Sequence, residues 1–165
     1  MLEAGDTVLR LGAAALAGGI LGLDRELEAK PIGIRTLALV SLGAATVCVM
    51  VLNNPAIAGD TAALSRVMQG TVHGLMTGIG FLGAGLVLQV PSEGRVRFLT
   101  SAATIWVTAA LGIACGFGEW LVVITAMILA LVILVVLHPF DDWLQARKKM
   151  LLKRKRDQTG SSDPQ

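Results

Sequence analysis

The chain has 165 residues, 54% of them hydrophobic and 16% charged, with a mean hydropathy of +0.69 and a formal net charge of +2. Soluble domains carry about a quarter of their residues as charges, so an ordinary soluble domain is excluded, and no nucleic-acid partner is expected. The fold class expected is all-α: a polytopic membrane protein with five transmembrane helices, its N-terminus outside and its C-terminus cytoplasmic.

In chain order, the acids Glu3 and Asp6 precede the first apolar run, so a cleaved signal peptide is not expected. Transmembrane helices are predicted over 7–23, 33–52, 70–90, 100–117 and 120–137. Arg10 lies shallow in the first and can reach outward or pair with Asp6 one turn earlier. Asp24-Arg25-Glu26 follows that run, and Gly33-Ile-Arg35-Thr36 opens the next. Asp24 and Glu26 can pair with Arg35 and pin the two helix ends together. Alternatively they can bind a hard cation such as Mg²⁺, which takes one or two carboxylates and keeps its waters. Arg35 stands at a helix start, against the dipole preference, which favours an acidic or anionic partner for it.

The third run is the most unusual. Gly70, Gly74 and Gly78 recur every fourth residue, and Gly80, Gly83 and Gly85 continue the series. In a soluble helix each glycine costs about 1 kcal/mol relative to alanine. In a membrane such residues form a smooth face that lets another backbone approach closely, so all six are read as helix-packing residues. Gly78-Ile-Gly80-Phe-Leu-Gly83 matches a dinucleotide-binding pattern by letters alone, without the strand–turn–helix context. His73, near one end of this run, is expected to make an interhelical hydrogen bond.

Glu93 lies in the following connection, and Thr100, Ser101 and Thr104 begin the fourth run, where hydroxyls cap a helix or bond a neighbour. Cys48 and Cys115 fall in apolar runs and read as small buried hydrophobes. The fifth run is bulky and free of glycine, so it is expected to face lipid, with runs one, three and four supplying the packed interior. Trp120 at one end and Phe140 and Trp143 at the other suit an aromatic belt.

Basic residues set the orientation. Arg25, Lys30 and Arg35 mark the first connection, Arg66 alone the second, Arg95 and Arg97 the third, and none the fourth; seven follow the fifth run. This alternation places the Asp24 and Glu93 connections in the cytoplasm. Domain boundaries follow: a five-helix membrane domain over 1–138, a basic amphipathic tail over 139–156, and a disordered end over 157–165. Every acid lies outside the predicted spans, which argues against a transporter with a buried acidic coupling site. No catalytic constellation is visible, and the chain is not expected to be an enzyme.

Gly22-Leu-Asp-Arg-Glu-Leu27, Gly33-Ile-Arg-Thr36 with Leu39-Val-Ser-Leu-Gly43, Gly78-Ile-Gly-Phe-Leu-Gly-Ala-Gly85 and Thr100-Ser-Ala-Ala-Thr-Ile-Trp106 occur in this order. Together they resemble the signature of the MgtC/SapB membrane proteins. The resemblance implies a multi-pass protein of the bacterial cytoplasmic (inner) membrane, linked to growth under magnesium limitation and, in pathogens, to virulence. It also implies that the motif positions Asp24, Glu26, Arg35 and Glu93 carry function, and that a membrane complex such as the F-type ATP synthase is a partner. Some members have Asn at the place of Thr100 and Cys at that of Val107, and many carry a cytoplasmic domain where this chain has a charged tail. The function expected is a non-enzymatic modulator of ion homeostasis acting through a membrane partner. The alternatives are a channel or transporter for Mg²⁺ or another small ion, with Asp24, Glu26 and Glu93 as its vestibule, and a structural oligomer whose tail senses anionic lipid. Arg25, Thr36 and Thr100 complete the cytoplasmic candidates, no metal ligand set is assigned, and the glycine face is compatible with a homodimer.

Overall fold

The computed structural model describes residues 2–27, 32–58, 60–88 and 99–136, and these are all helical apart from turns. The helices are α1 (Ala4–Leu27), α2 (Ile34–Leu52), α3 (Pro55–Ala58), α4 (Thr61–Leu88), α5 (Leu99–Phe117) and α6 (Trp120–Val136). Four of them, α1, α2, α4 and α5, are long and apolar enough to cross a membrane. α6 is apolar throughout, but its 17 residues make it shorter than these. The chain divides into two units, 1–130 and 131–165, and of the second only 131–136 is described. The predicted tail over 139–156, the end over 157–165 and Glu93 lie outside the described residues.

The predicted runs match α2, α5 and α6 closely; α1 is longer by three residues at its start and four at its end, so Asp24, Arg25 and Glu26 lie within it, and α4 begins nine residues before the expected start. A local cap accounts for the early start of α4. Asp60 Oδ1 accepts the backbone N–H groups of Ala62 at 2.8 Å and Ala63 at 3.1 Å, satisfying donors that the first helical turn leaves free. The short α3 is built the same way: Pro55 opens it and Asn54 Oδ1 accepts the Ala56 N–H at 3.0 Å.

The interior is made by α1, α2 and α5. This corrects the expectation that runs one, three and four supply it, because the third run corresponds to α4, where only Gly83 is buried. The buried face of α1 reads Ala14, Ala17, Gly18, Leu21, Gly22 and Arg25, an apolar stripe at helical spacing ending in a charge. Small residues on that stripe bring backbones together. A Cβ on Gly18 would lie 2.8 Å from the Leu37 carbonyl carbon, and one on Gly22 would lie 2.8 Å from the Ile34 nitrogen. α5 meets α2 likewise: a Cβ on Gly112 would lie 2.8 Å from Ser41 Cα, and one on Gly116 would lie 2.6 Å from Cys48 Cβ. This is the small-residue packing that membranes favour, located on helices other than the one predicted. Cys48 and Cys115 are free and fully buried within it, as expected of small hydrophobes.

α4 lies against this frame through Val72, Leu75 and Met76, which pack on Ala44, Cys48 and Ile113, and through Gly83, which faces Ala102. From α6, Val123 joins Ala14, Ala45 and Cys115 in the core, whereas Leu121, Val122, Ile124, Ile128 and Leu129 are exposed. That agrees with a helix meant mainly for lipid.

Candidate functional site

α1 runs antiparallel to α2 and α5, so two ends can be told apart, and each carries a polar cluster. At the first, the C-terminus of α1 meets the N-termini of α2 and α5. Arg25 is fully buried, and its Nη2 donates to the hydroxyl of Ser101, itself almost fully buried. Beneath this pair the inward hydroxyls of α5 turn back on their own helix. Thr104 Oγ1 donates to the Thr100 carbonyl and Thr108 Oγ1 to that of Thr104, both at 2.8 Å. Hydroxyls that bond their own helix this way can line a helix interface without being left unsatisfied.

The carboxylates beside Arg25 divide their roles. Glu26 Oε2 accepts the Ile34 N–H at 3.1 Å. Gly33, the N-cap residue of α2, has no side chain to cap the helix, so the end of α1 supplies the missing acceptor and a negative charge suited to the dipole. The Gly33–Glu26 approach is close enough that a Cβ on Gly33 would lie 3.0 Å from the Glu26 carboxyl carbon. Asp24 differs. Its Oδ2 is buried and has no hydrogen-bond partner. Arg35 and Thr36, on the first turn of α2, are exposed. Among the described residues the one ion pair is Arg10–Asp6, so neither Asp24 nor Glu26 pairs with Arg35 there. α2 is held by the carboxylate–backbone bond from Glu26 instead.

Of the seven predicted cytoplasmic candidates, then, Asp24, Arg25, Glu26, Arg35, Thr36 and Thr100 gather at one end of the helices, with Thr100 exposed on the first turn of α5. Among the described residues the donor set does not make an all-protein metal cage. Glu26 is occupied by Ile34, a guanidinium occupies the residue between the two acids, and no group of three or more His, Cys, Asp or Glu that could hold a metal exists among the described residues. Asp24 Oδ2 is left buried without a hydrogen-bond partner among the described residues.

The opposite end is where sequence reasoning fell short. Arg10 pairs with Asp6 at 2.9 Å, as its spacing predicted, and its Nη1 also donates to the Gly116 carbonyl at 2.9 Å. α5 ends there in a glycine turn: Gly118 adopts φ +79°, Gly118 N–H bonds the Cys115 carbonyl, and Glu119 N–H bonds that of Ala114. Gly116 belongs to the last turn, and Arg10 supplies its donor from another helix. Leu2 N–H is tied to Asn53 Oδ1 at 2.7 Å, joining the chain start to the end of α2. No sequence signal singles out Gly116, because its partner lies 106 residues away.

The glycines predicted to pack divide sharply. Gly83 contacts Ala102, with a Cβ contact of 3.6 Å. A Cβ on Gly70, Gly74, Gly78, Gly80 or Gly85 would meet nothing within 4 Å, so they pack on nothing among the described residues. Gly70, Gly74, Gly78 and Gly80 are exposed along α4 together with His73, Thr77 and Phe81. His73 lends its carbonyl to Thr77 Oγ1 at 2.8 Å, and its side chain makes no interhelical hydrogen bond among the described residues. Between α4 and α5 an open apolar groove of about 540 Å³ is lined by Gly80, Gly83, Ala84, Ala102 and Trp106.

Comparison with known proteins agrees with this architecture. The model of the MgtC family matches residues 11–143. Protein SrpB of Synechococcus elongatus is 42% identical, over 67% of this chain and 63% of its own length. Protein MgtC of Brucella abortus is 39% identical over 68% of this chain and 43% of its own, and Protein MgtC of Salmonella typhimurium is 36% identical over 75% and 49%. The chain therefore spans about half the length of these relatives. No solved structure matches. With its apolar spanning helices and a family match over most of its length, the chain is a multi-pass membrane protein and belongs to the MgtC family.

Proposed function

We propose that this protein is a non-enzymatic modulator of ion homeostasis in the bacterial cytoplasmic membrane, serving adaptation to magnesium limitation by contact with a membrane partner. In this reading the chain crosses five times, with the Asp6 end outside and the Asp24 end in the cytoplasm. The observation that carries it is the bare glycine face of α4: four glycines exposed on a spanning helix, each with nothing within 4 Å of a Cβ. Lipid gains little from such a face, whereas a second helix gains close backbone contact. The partner class expected from the family is an energy-coupling membrane complex such as the F-type ATP synthase. Virulence, for a pathogen, would follow from the same adaptation.

The test is purification of the protein with its bound membrane complex, comparing wild type with Gly74→Leu. Loss of the complex from a variant of unchanged stability supports the proposal; retention of the complex removes it.

One observation favours ion transport as a second reading, the buried and unpartnered Asp24 Oδ2. A carboxylate oxygen without a donor is costly unless water, a proton or a cation reaches it. Here Mg²⁺ would be cargo passing the Asp24 end. Flux into proteoliposomes that Asp24→Asn abolishes would establish this reading in place of the first; absence of flux through folded, oriented protein would end it.

A further inference from the structure

We propose that Arg10 and Arg25 form a two-ended clamp that locks α5 in register along α1. Each arginine of α1 reaches the opposite end of α5. Arg25 binds the Ser101 hydroxyl on the first turn of α5, and Arg10 binds the Gly116 carbonyl on its last. Fifteen residues separate the two arginines, and fifteen separate their two acceptors. At about 1.5 Å per residue both spans are about 22 Å, so the antiparallel helices meet donor to acceptor at both ends together.

The clamp matters because the buried face of α1 between its ends is made mostly of small residues. α1 buries Ala14, Ala17, Gly18 and Gly22 there beside one large side chain, Leu21, and the two glycines lie against α2. Small residues at four-residue spacing permit close approach but do not distinguish one register from the next turn along. A slide of one turn would remove both acceptors at once. It would take a fully buried guanidinium from its hydroxyl, and the Gly116 carbonyl from a donor only 14% exposed. Polar groups buried in low dielectric make such an offset expensive. The two hydrogen bonds thus add a polar setting at both ends to a face of mostly small residues. The Asp24 end inherits that setting, since Arg25 and the Glu26 cap of α2 are adjacent residues.

The test is the distance between spin labels at Val8→Cys on α1 and Trp106→Cys on α5, both exposed positions offset along the helix axes, in full-length protein in nanodiscs. Cys48 and Cys115 are replaced by alanine. The clamped protein should give one narrow distribution. Arg10→Met with Arg25→Met should broaden it or add a population displaced by several ångströms, towards one turn of about 5.4 Å. An unchanged narrow distribution in the folded double variant would overturn the clamp. If that variant does not fold, Ser101→Ala and Arg10→Met are measured singly: broadening in each supports the clamp, and unchanged distributions overturn it. Arg25→Lys keeps a cationic donor and should restore the narrow distribution that Arg25→Met loses, whereas equal behaviour of the two variants would count against a hydrogen-bonded lock.

Discussion

α4 and α5 are both apolar, both rich in small residues and both long enough to span a bilayer, yet they do opposite work. In α5, ten residues are buried, and its glycines Gly112 and Gly116 leave no room for a Cβ. In α4 one residue is buried, and most of its glycines face open space. The difference teaches that glycine spacing in a membrane helix reports the need for close approach but not the identity of what approaches. α5 spends its small residues inside the chain, on the backbone of α2. α4 leaves most of its own without a contact among the described residues.

Substitution separates the two helices most sharply at their glycines. Gly112→Leu should have the largest effect. Any Cβ there would meet Ser41 backbone atoms, with Cα at 2.8 Å, and a helix backbone cannot yield as a flexible side chain can. Overpacking of this kind costs about 3 kcal/mol or more when backbone must move. The expected outcome is little or no folded protein by size-exclusion chromatography in detergent. Normal yield and thermal unfolding would mean that α2 and α5 do not approach as described.

Arg10→Met comes next. It removes the donor to Gly116 and the partner of Asp6 in one step. A lost hydrogen bond to a charged group in a partly buried setting, with a helix C-terminal carbonyl left bare, is worth about 2 kcal/mol. Thermal unfolding should fall by several degrees, and Asp6→Asn should lose clearly less, because the Gly116 bond remains. Equal losses from the two variants would reduce Arg10 to an ordinary surface ion pair.

Much of this was legible from the residues, and the misses have physical causes. Helix positions follow from long apolar runs, and α2, α5 and α6 begin or end within about a residue of expectation because glycine and charge punctuate them. α4 was predicted short because the apolar run starts at Gly70, while the helix is nucleated earlier by the Asp60 cap within polar sequence. The Asp24 end was recognised from Asp24-Arg25-Glu26 facing Gly33-Ile-Arg35. Its wiring was not: spacing shows which charges are near, not whether Glu26 spends its oxygen on Arg35 or on the Ile34 N–H. The inward glycines are hard to read from sequence for a simple reason. Ala14-x-x-x-Gly18-x-x-x-Gly22 and Gly112-x-x-x-Gly116 are weaker patterns to the eye than the run in α4, and burial is a property of partners that one helix does not display.

Glu26→Ala sharpens the contrast on a smaller scale. It removes the acceptor that α1 lends to the first turn of α2, and loss of such a cap typically costs about 1 kcal/mol. Glu26→Gln keeps an acceptor oxygen and loses only the charge, so its unfolding midpoint should lie between alanine and wild type. If alanine and glutamine are equally harmful, the charge and not the cap matters, and a cation or a basic partner at this end regains ground.

Gly78→Leu should have the smallest effect on stability, and its sign is the informative part. Nothing lies within 4 Å of a Cβ at Gly78, so a larger side chain fits without displacing any neighbour in the chain. A glycine inside a helix is destabilising by about 0.5–1 kcal/mol relative to alanine, so removing it should leave the thermal midpoint unchanged or slightly raised. If Gly78 packs against a helix, as expected from sequence, that helix would belong to a partner, and leucine would fill the space it needs. Unchanged stability with loss of the co-purifying complex would place the purpose of α4 outside the chain. A marked fall in stability of the isolated protein would instead mean that α4 packs its glycines inward, and the contrast with α5 would disappear.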